Sequence, residues 1–132
     1  MKVYFDTNIY LDFFEDRNDG LRPLGEYAFN CFKRGIECEF YIVFSEHVLD
    51  ELIDFGISNE DLDELFDWIG IKLLMVDKCK NDYREVKNIM RKHNIHYKDA
   101  LHHVIAQRTS DRLLTNDNEL KLLPDSTGYE TF

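Results

Sequence analysis

Four acidic residues lie at positions where a carboxylate could do chemistry. Asp6 and Asp117 each follow a short apolar segment, whereas Glu51 and Asp99 lie within segments that have helical apolar spacing. A carboxylate between two apolar segments is costly to bury unless a cation or a hydrogen-bond donor compensates its charge. The positions therefore indicate either local structural roles or one shared charged site.

Both interpretations have a physical basis. Asp6 could cap the helix that follows it, Asp99 could favour a helix N-terminus, and Asp117 could stabilise a turn. Carboxylates packed together without a cation repel one another, and some of them stay protonated. Mg²⁺ and Mn²⁺ prefer oxygen ligands, activate water and stabilise charge on a phosphoryl group, so one or two such ions would give the cluster a function.

Strands and helices alternate along the chain that carries these acids. Strands are predicted at 2–5, 39–44, 72–77 and 112–117, with a final strand near 128–130. Helices are predicted at 7–14, 25–35, 46–55, 58–70, 79–94 and 97–110, with a last short helix at 118–124. This pattern is typical of parallel strands joined by right-handed crossovers. We expect a single domain over residues 1–132, a three-layer α/β/α sandwich with a central, mainly parallel sheet.

This fold class predicts where the acids meet. In open parallel α/β sheets, sites form beyond the carboxyl ends of the strands. Asp6 and Asp117 follow two such ends, Glu51 lies on the helix after the second strand, and Asp99 lies in the first turn of its helix. The four carboxylates could therefore converge in one crevice.

The charge is acidic overall and uneven along the chain. The formal net charge of −10 argues by itself against a nucleic-acid partner, because phosphate contacts need Lys and Arg. Residues 78–112, however, hold nine Lys and Arg against four Asp and Glu. This stretch is either a solvated helix face or a basic region that approaches RNA, with Lys98, Arg108 and Arg112 as candidate backbone contacts.

Neither the cysteines nor the apolar segments favour an extracellular or membrane protein. The three cysteines form no CxxC pair, which favours reduced thiols over a disulfide framework. No apolar run reaches the roughly 20 residues of a membrane helix. Asp6 and Asp12 interrupt the N-terminal apolar stretch, which makes it a poor signal peptide. We expect a cytoplasmic protein with no membrane contact.

Histidines and aromatic residues are secondary candidates. Adjacent helical residues such as His102 and His103 point about 100° apart, and no cysteine pair completes a zinc site, so we expect the histidines to be exposed or to face RNA. The aromatic residues of the first two helices belong mostly to the core. An exposed apolar face there would suit a homodimer contact or the helix of a partner protein.

Four motifs together resemble those of PIN domains. The segments FDTN, SEHVLDEL, KDALHHVIA and LLTNDNEL occur in the PIN order over residues 3–120, each in its expected strand–helix setting. The length is similar to that of VapC-type toxins of toxin–antitoxin pairs. Glu46 and Asp50 are rivals of Glu51, but Glu51 has the six-residue spacing from Ser45 that matches the second motif.

The resemblance implies a metal-dependent endoribonuclease that uses Mg²⁺ or Mn²⁺, with an antitoxin as a possible partner. It assigns catalysis and metal binding to Asp6, Glu51, Asp99 and Asp117, with Glu119 as a weaker ligand. Asn8 and Thr115 match supporting positions that orient a ligand or water. The alternatives are a catalytically silent PIN-like module that binds a protein or RNA, and a different α/β enzyme such as a phosphatase. A phosphatase with a nucleophilic aspartate would need an acid where Asn8 stands.

Overall fold

Short strands and longer helices alternate along the whole chain in the computed structural model, which describes residues 1–132. The strands are β1 (Lys2–Phe5), β2 (Tyr41–Ser45), β3 (Leu73–Val76), β4 (Arg112–Leu114) and β5 (Ser126–Thr127). The helices are α1 (Thr7–Glu15), α2 (Leu24–Ile36), α3 (Glu46–Asp54), α4 (Asn59–Ile69), α5 (Lys80–His93) and α6 (Tyr97–Thr109). The predicted α/β class with a parallel sheet is confirmed.

The five strands form one sheet in the order β3-β2-β1-β4-β5, and every neighbouring pair is parallel. In β1, Tyr4 pairs with Val43 of β2 on one side and with Leu113 of β4 on the other. From β1 the chain adds β2 and β3 on one side, and it then returns across the sheet to add β4 on the other side of β1. Because such crossovers are right-handed, α5 and α6 lie on the opposite face of the sheet from α1 to α4. The order reverses beside β1, which is where such sheets form a crevice.

Helices on both faces explain the composition of the central strands. Val3, Tyr4 and Phe5 are all fully buried, as expected for a parallel strand covered on both sides. Phe5 packs against Phe32 of α2, with ring centroids 5.1 Å apart. None of the six α-helices combines the length and the apolar run that crossing a bilayer requires.

The C-terminal segment differs in detail from its prediction. The helix predicted at 118–124 is only a 3₁₀ turn at Leu120–Leu122, because Pro124 follows closely and prevents continuation. The strand predicted near 128–130 lies instead at β5, where Thr127 pairs with Leu114 of β4.

Ser45 connects the end of β2 to the start of α3. Its Oγ accepts a hydrogen bond from Val48 N at 3.1 Å and lies 2.7 Å from the buried Tyr4 hydroxyl. We expect Ser45→Ala to lower the free energy of unfolding by about 1–2 kcal/mol, because it removes a helix cap and a partner of Tyr4. Urea denaturation measures this loss. Ser58→Ala is the matched control, since Ser58 caps α4 only through Asp61 N, and an equal loss in both variants would contradict the contribution of Tyr4.

Candidate active site

The predicted site residues lie at the carboxyl ends of three neighbouring strands. Asp6 directly follows β1, and Asp117 lies just beyond β4. Glu51 projects from α3, which begins immediately after β2. Asp99 lies in the first turn of α6, which starts at the same edge of the sheet. The geometry of each side chain determines which of them face one another.

Asp6 combines a capping role with a position at the centre of the site. Its side chain is almost completely buried. One carboxylate oxygen, Oδ1, accepts the Thr7 amide at 2.7 Å at the start of α1, and Oδ2 accepts the Thr115 hydroxyl at 2.7 Å. Burial raises the pKa of Asp6, although the nearby His102 opposes this effect. The carboxylate is therefore held in one orientation, at the cost of burying its charge.

Glu51 is the α3 acid that faces Asp6. Its Oε1 accepts the Thr7 hydroxyl at 2.6 Å and contacts His102 Nε2. Burial alone would raise the pKa of Glu51, but the hydrogen bonds from His102 and Thr7 lower it to about 2. The rivals face elsewhere, since Glu46 accepts the Lys78 amide and Asp50 pairs with the Lys78 ammonium group at 2.8 Å.

Asp99 and Asp117 bring two further carboxylates to the same space. Burial together with the charges of Asp117 and Asp6 raises the pKa of Asp99 to about 6. Asp117 is also a turn cap, because its Oδ1 accepts the amides of Glu119 at 3.0 Å and Leu120 at 2.8 Å. The exposed Glu119 side chain lines a separate cavity beside the loop between α5 and α6.

The burial of these acids and the repulsion among them are both effects that a divalent cation would offset. Asp6, Asp99 and Asp117 are close enough for their charges to disfavour ionisation of Asp99. A divalent cation would reverse this effect, and an arrangement of carboxylate oxygens suits Mg²⁺ or Mn²⁺. Asp6, Glu51, Asp99 and Asp117 are the residues that could hold such an ion.

Of the two predicted supporting residues, Thr115 contacts the acids directly, whereas Asn8 contacts the backbone between Thr115 and Asp117. Besides its bond to Asp6, the Thr115 hydroxyl accepts the Asp117 amide at 3.0 Å, so one side chain connects two of the acids. Asn8 Oδ1 accepts the Asn116 amide at 3.3 Å, which ties the start of α1 to the segment after β4. These bonds fix the relative positions of two strand ends.

His102 is the residue that sequence reasoning missed. It is 2% exposed and lies between two acids, with its Nε2 3.3 Å from Asp6 Oδ1 and in contact with Glu51. Its Nδ1 is 2.8 Å from the Tyr4 hydroxyl, which itself bonds Ser45. Burial lowers the pKa of His102, but the charges of Asp6 and Glu51 outweigh burial and raise it. The sequence offers one indication of this role. His102 follows Asp99 by three residues, which places the two side chains on the same side of α6.

The expectation that the histidines are exposed or face RNA is wrong for His102 and His103. Both are buried, because α6 packs against the sheet and against α5. The side chain of His103 borders the cavity between α5 and α6, its Nδ1 has no hydrogen-bond partner, and burial lowers its pKa. The two neighbouring histidines therefore have different surroundings.

The three cationic candidates for RNA contact are spread along the molecule. Lys98 is exposed and adjacent to Asp99 at the site end of α6. Arg108 lies near the other end of that helix, and its guanidinium bonds both carboxylate oxygens of Asp82 at 2.9 Å. Arg112 begins β4, whereas the site lies beyond the end of β4. Of the three, Lys98 is the one placed beside the acids.

The raised pKa of Asp99 predicts a pH dependence of stability in the metal-free protein. Between its ordinary pKa of 3.8 and about 6, the folded state binds more proton than the unfolded state, so stability falls as the pH rises through this window. We expect Asp99→Asn to remove this contribution to the pH dependence. The measurement is the Tm of the variant and of the wild type in EDTA from about pH 4 to 7, and the Tm should fall less with rising pH in the variant. Asp63→Asn, which changes an exposed acid of α4, should keep the wild-type slope of Tm against pH. A wild-type slope in Asp99→Asn would contradict the raised pKa of Asp99.

The fold and the site define an α/β domain with an acidic crevice at the edge of a parallel sheet. The family model that describes the PIN domain matches residues 3–125, so the chain belongs to the PIN domain family. No curated protein sequence matches the chain.

Solved structures share this fold at low sequence identity. One is a toxin–antitoxin complex from Klebsiella pneumoniae, with a TM-score of 0.72, 14% identity and coverage of 96% of this chain and 97% of that one. Another is VapBC2 from Rickettsia felis bound to a DNA fragment from their promoter, with a TM-score of 0.63, 22% identity and 97% coverage of each chain. At these identities the likeness establishes the fold.

Proposed function

We propose that this protein is a metal-dependent endoribonuclease that hydrolyses RNA phosphodiester bonds. The observation that carries the proposal is the convergence of Asp6, Asp99 and Asp117 at one edge of the sheet, where burial and the charges of Asp117 and Asp6 together raise the pKa of Asp99 to about 6. Membership of the PIN domain family supports the same activity. A cation would offset the repulsion in this cluster, and RNA is a substrate whose cleavage a cation promotes.

Different side chains have different roles in the proposed site. Asp6, Glu51, Asp99 and Asp117 hold one or two ions, Mg²⁺ or Mn²⁺, and Thr115 fixes the orientation of Asp6. When bound, the ion would activate a water and stabilise the charge that develops on the phosphoryl group. The protein contributes a rigid, partly buried arrangement of carboxylates, so little reorganisation is needed when the substrate binds.

Two cations at the site edge are proposed contacts for the RNA backbone. Lys98 is exposed beside Asp99. Arg22, which the sequence did not suggest, lies in the loop before α2 and donates to Asn116 Oδ1 at 3.3 Å. Its guanidinium also pairs with Asp19 and Glu130, so RNA would have to compete with these two acids. Arg108 and Arg112 remain proposals at more distant positions, and Arg108 would have to share its guanidinium with Asp82.

Incubation of the purified protein with mixed cellular RNA tests the proposal. We expect fragments to appear with Mn²⁺ or Mg²⁺ and to be absent with EDTA, and mapping of the fragment ends identifies the cut sites. Absence of cleavage under every metal condition would overturn the proposed activity. In that case, RNA binding without cleavage would favour the catalytically silent module.

A partly exposed cluster of stacked aromatic rings on α1, α2 and α4 is a candidate binding surface for a partner protein. The Trp68 ring of α4 stacks on both Phe13 and Phe29, with centroid distances of 5.8 and 5.3 Å. Phe29 is 44% exposed and Trp68 is 37% exposed. The acids Asp61 and Glu64 line the same hollow as Phe13 and Trp68, so an amphipathic helix with basic residues would complement it.

We propose an antitoxin as the occupant of this aromatic cluster, since both solved structures described above are toxin–antitoxin proteins. A homodimer through the same surface is the alternative. Light scattering distinguishes the antitoxin complex from the homodimer by molar mass. It is measured on the chain alone and then on the chain co-expressed with the product of a neighbouring gene. A chain that is monomeric alone and gains mass only with that product supports the antitoxin.

A further inference from the structure

His102 occupies a place among the acids that a metal ligand would occupy. It follows Asp99 by three residues on α6, so both side chains project from the same side of the helix. Its Nε2 is 3.3 Å from Asp6 Oδ1 and in contact with Glu51 Oε1. An ion held by Asp6 and Glu51 would therefore lie within reach of a nitrogen atom as well as oxygen atoms.

The opposite edge of the His102 ring is fixed by a buried chain of hydroxyl groups. The Tyr4 hydroxyl lies 2.8 Å from Nδ1 and 2.7 Å from Ser45 Oγ. Each hydroxyl can donate or accept, so this chain accommodates a proton on either ring nitrogen. Nε2 lies at hydrogen-bond distance from the Glu51 carboxylate, which can only accept, so without a metal this nitrogen carries a proton. A bound cation would replace that proton, and the ring would keep its Nδ1 proton toward Tyr4, which is the usual arrangement of a metal-binding histidine.

His47 lies nearby but is not equally available. The donor atoms of His47, Glu51 and His102 lie within 4.8 Å of one another. The Nε2 atom of His47, however, is 3.2 Å from the carbonyl oxygen of Lys98, which can only accept, so that nitrogen carries a proton and is engaged. His102 Nε2 instead faces the carboxylates of Asp6 and Glu51, where a cation can take the place of a proton, so His102 is the histidine available to the ion.

We propose that His102 Nε2 is a direct ligand of the metal ion and that this nitrogen makes the site prefer Mn²⁺ and Co²⁺ over Mg²⁺. The inference rests on the proposed metal site and goes beyond an all-carboxylate arrangement. Imidazole suits transition metals, whereas Mg²⁺ strongly prefers oxygen ligands. Tyr4 is a positioning residue, because it touches only the ring that would hold the ion.

Pulsed electron paramagnetic resonance of Mn²⁺ bound to the full chain tests this ligand directly. We expect a ¹⁴N coupling that changes to a ¹⁵N coupling when the wild-type protein carries ¹⁵N-labelled histidine. The coupling should persist in His103→Gln and His47→Gln and disappear in His102→Gln. If His102→Gln does not fold, the label in the wild type still shows that a histidine binds the ion, and loss of the coupling in His47→Gln would overturn its assignment to His102. A bound Mn²⁺ without any nitrogen coupling overturns the inference and leaves the carboxylate site standing.

Calorimetric titrations with Co²⁺ and with Mg²⁺ provide the second readout. In folded His102→Gln we expect Co²⁺ affinity to fall by roughly 10- to 100-fold, with a much smaller change for Mg²⁺. Tyr4→Phe should weaken Co²⁺ binding less and should retain the nitrogen coupling. If the affinities for Co²⁺ and Mg²⁺ fall by the same factor, His102 only orients the carboxylates. That outcome overturns the assignment of His102 as a ligand. Failure of every metal to bind would instead contradict the proposed function.

Discussion

Replacing Asp6 with asparagine is expected to lower the rate of RNA cleavage by about 100- to 1,000-fold, the range seen when a preorganised electrostatic group is removed. Asparagine keeps the oxygen that accepts the Thr7 amide and nearly the same volume. It removes the charge that would hold a cation. The measurement is the initial rate of cleavage in Mn²⁺, together with a titration of Mn²⁺ binding.

The fold should survive this change, because a buried charge disappears while the packing stays the same. We expect the Tm of Asp6→Asn in EDTA to be no lower than that of the wild type. Asp12→Asn is the matched control, since Asp12 is also buried on α1 but bonds the Tyr129 hydroxyl at 2.7 Å. Cleavage at the wild-type rate by folded Asp6→Asn would remove Asp6 from the site.

Glu51→Gln is expected to lower cleavage by about 100-fold, because Gln keeps the shape of the side chain but has no charge for a cation. The comparison with Asp50→Asn and Glu46→Gln makes the test specific. Those two acids lie on the same helix and contact Lys78 instead of the site. We expect both to cleave RNA at close to the wild-type rate.

The outcome for the α3 acids decides which face of the helix serves the site. If Asp50→Asn loses as much activity as Glu51→Gln, the orientation described for α3 is wrong. A loss confined to Glu51→Gln supports its bonds to Thr7 and His102 as the relevant ones. Circular dichroism on all three variants excludes unfolding as the cause.

The strand-end acids were predictable because their positions follow from local sequence patterns. A buried strand such as 2–5 is readable from its apolar run, and its end places Asp6 at the sheet edge. Parallel strands bring their carboxyl ends to one edge, so Asp117 had to lie at that edge too. The Ser45 cap sets the start of α3 and hence the position of Glu51 along it.

The role of His102 was not predictable in this way. Residues 100–106 of α6 are all buried, so the helix has no polar side that would show which way each residue points. An amphipathic period exists only where one face meets water. The opposite environments of His102 and His103 depend on the sheet and on α5, which the local sequence does not describe.

The sequence by itself determined the α/β alternation, the parallel sheet and the four acids as candidates, because hydrophobic period, helix caps and strand ends are local properties. Only the tertiary structure decided which side chains touch. It paired Arg108 with Asp82, turned Asp50 toward Lys78, and placed His102 between Asp6 and Glu51 with its other ring nitrogen beside the Tyr4 hydroxyl. Such contacts join residues that are far apart in the chain, so they depend on how helices pack on the sheet.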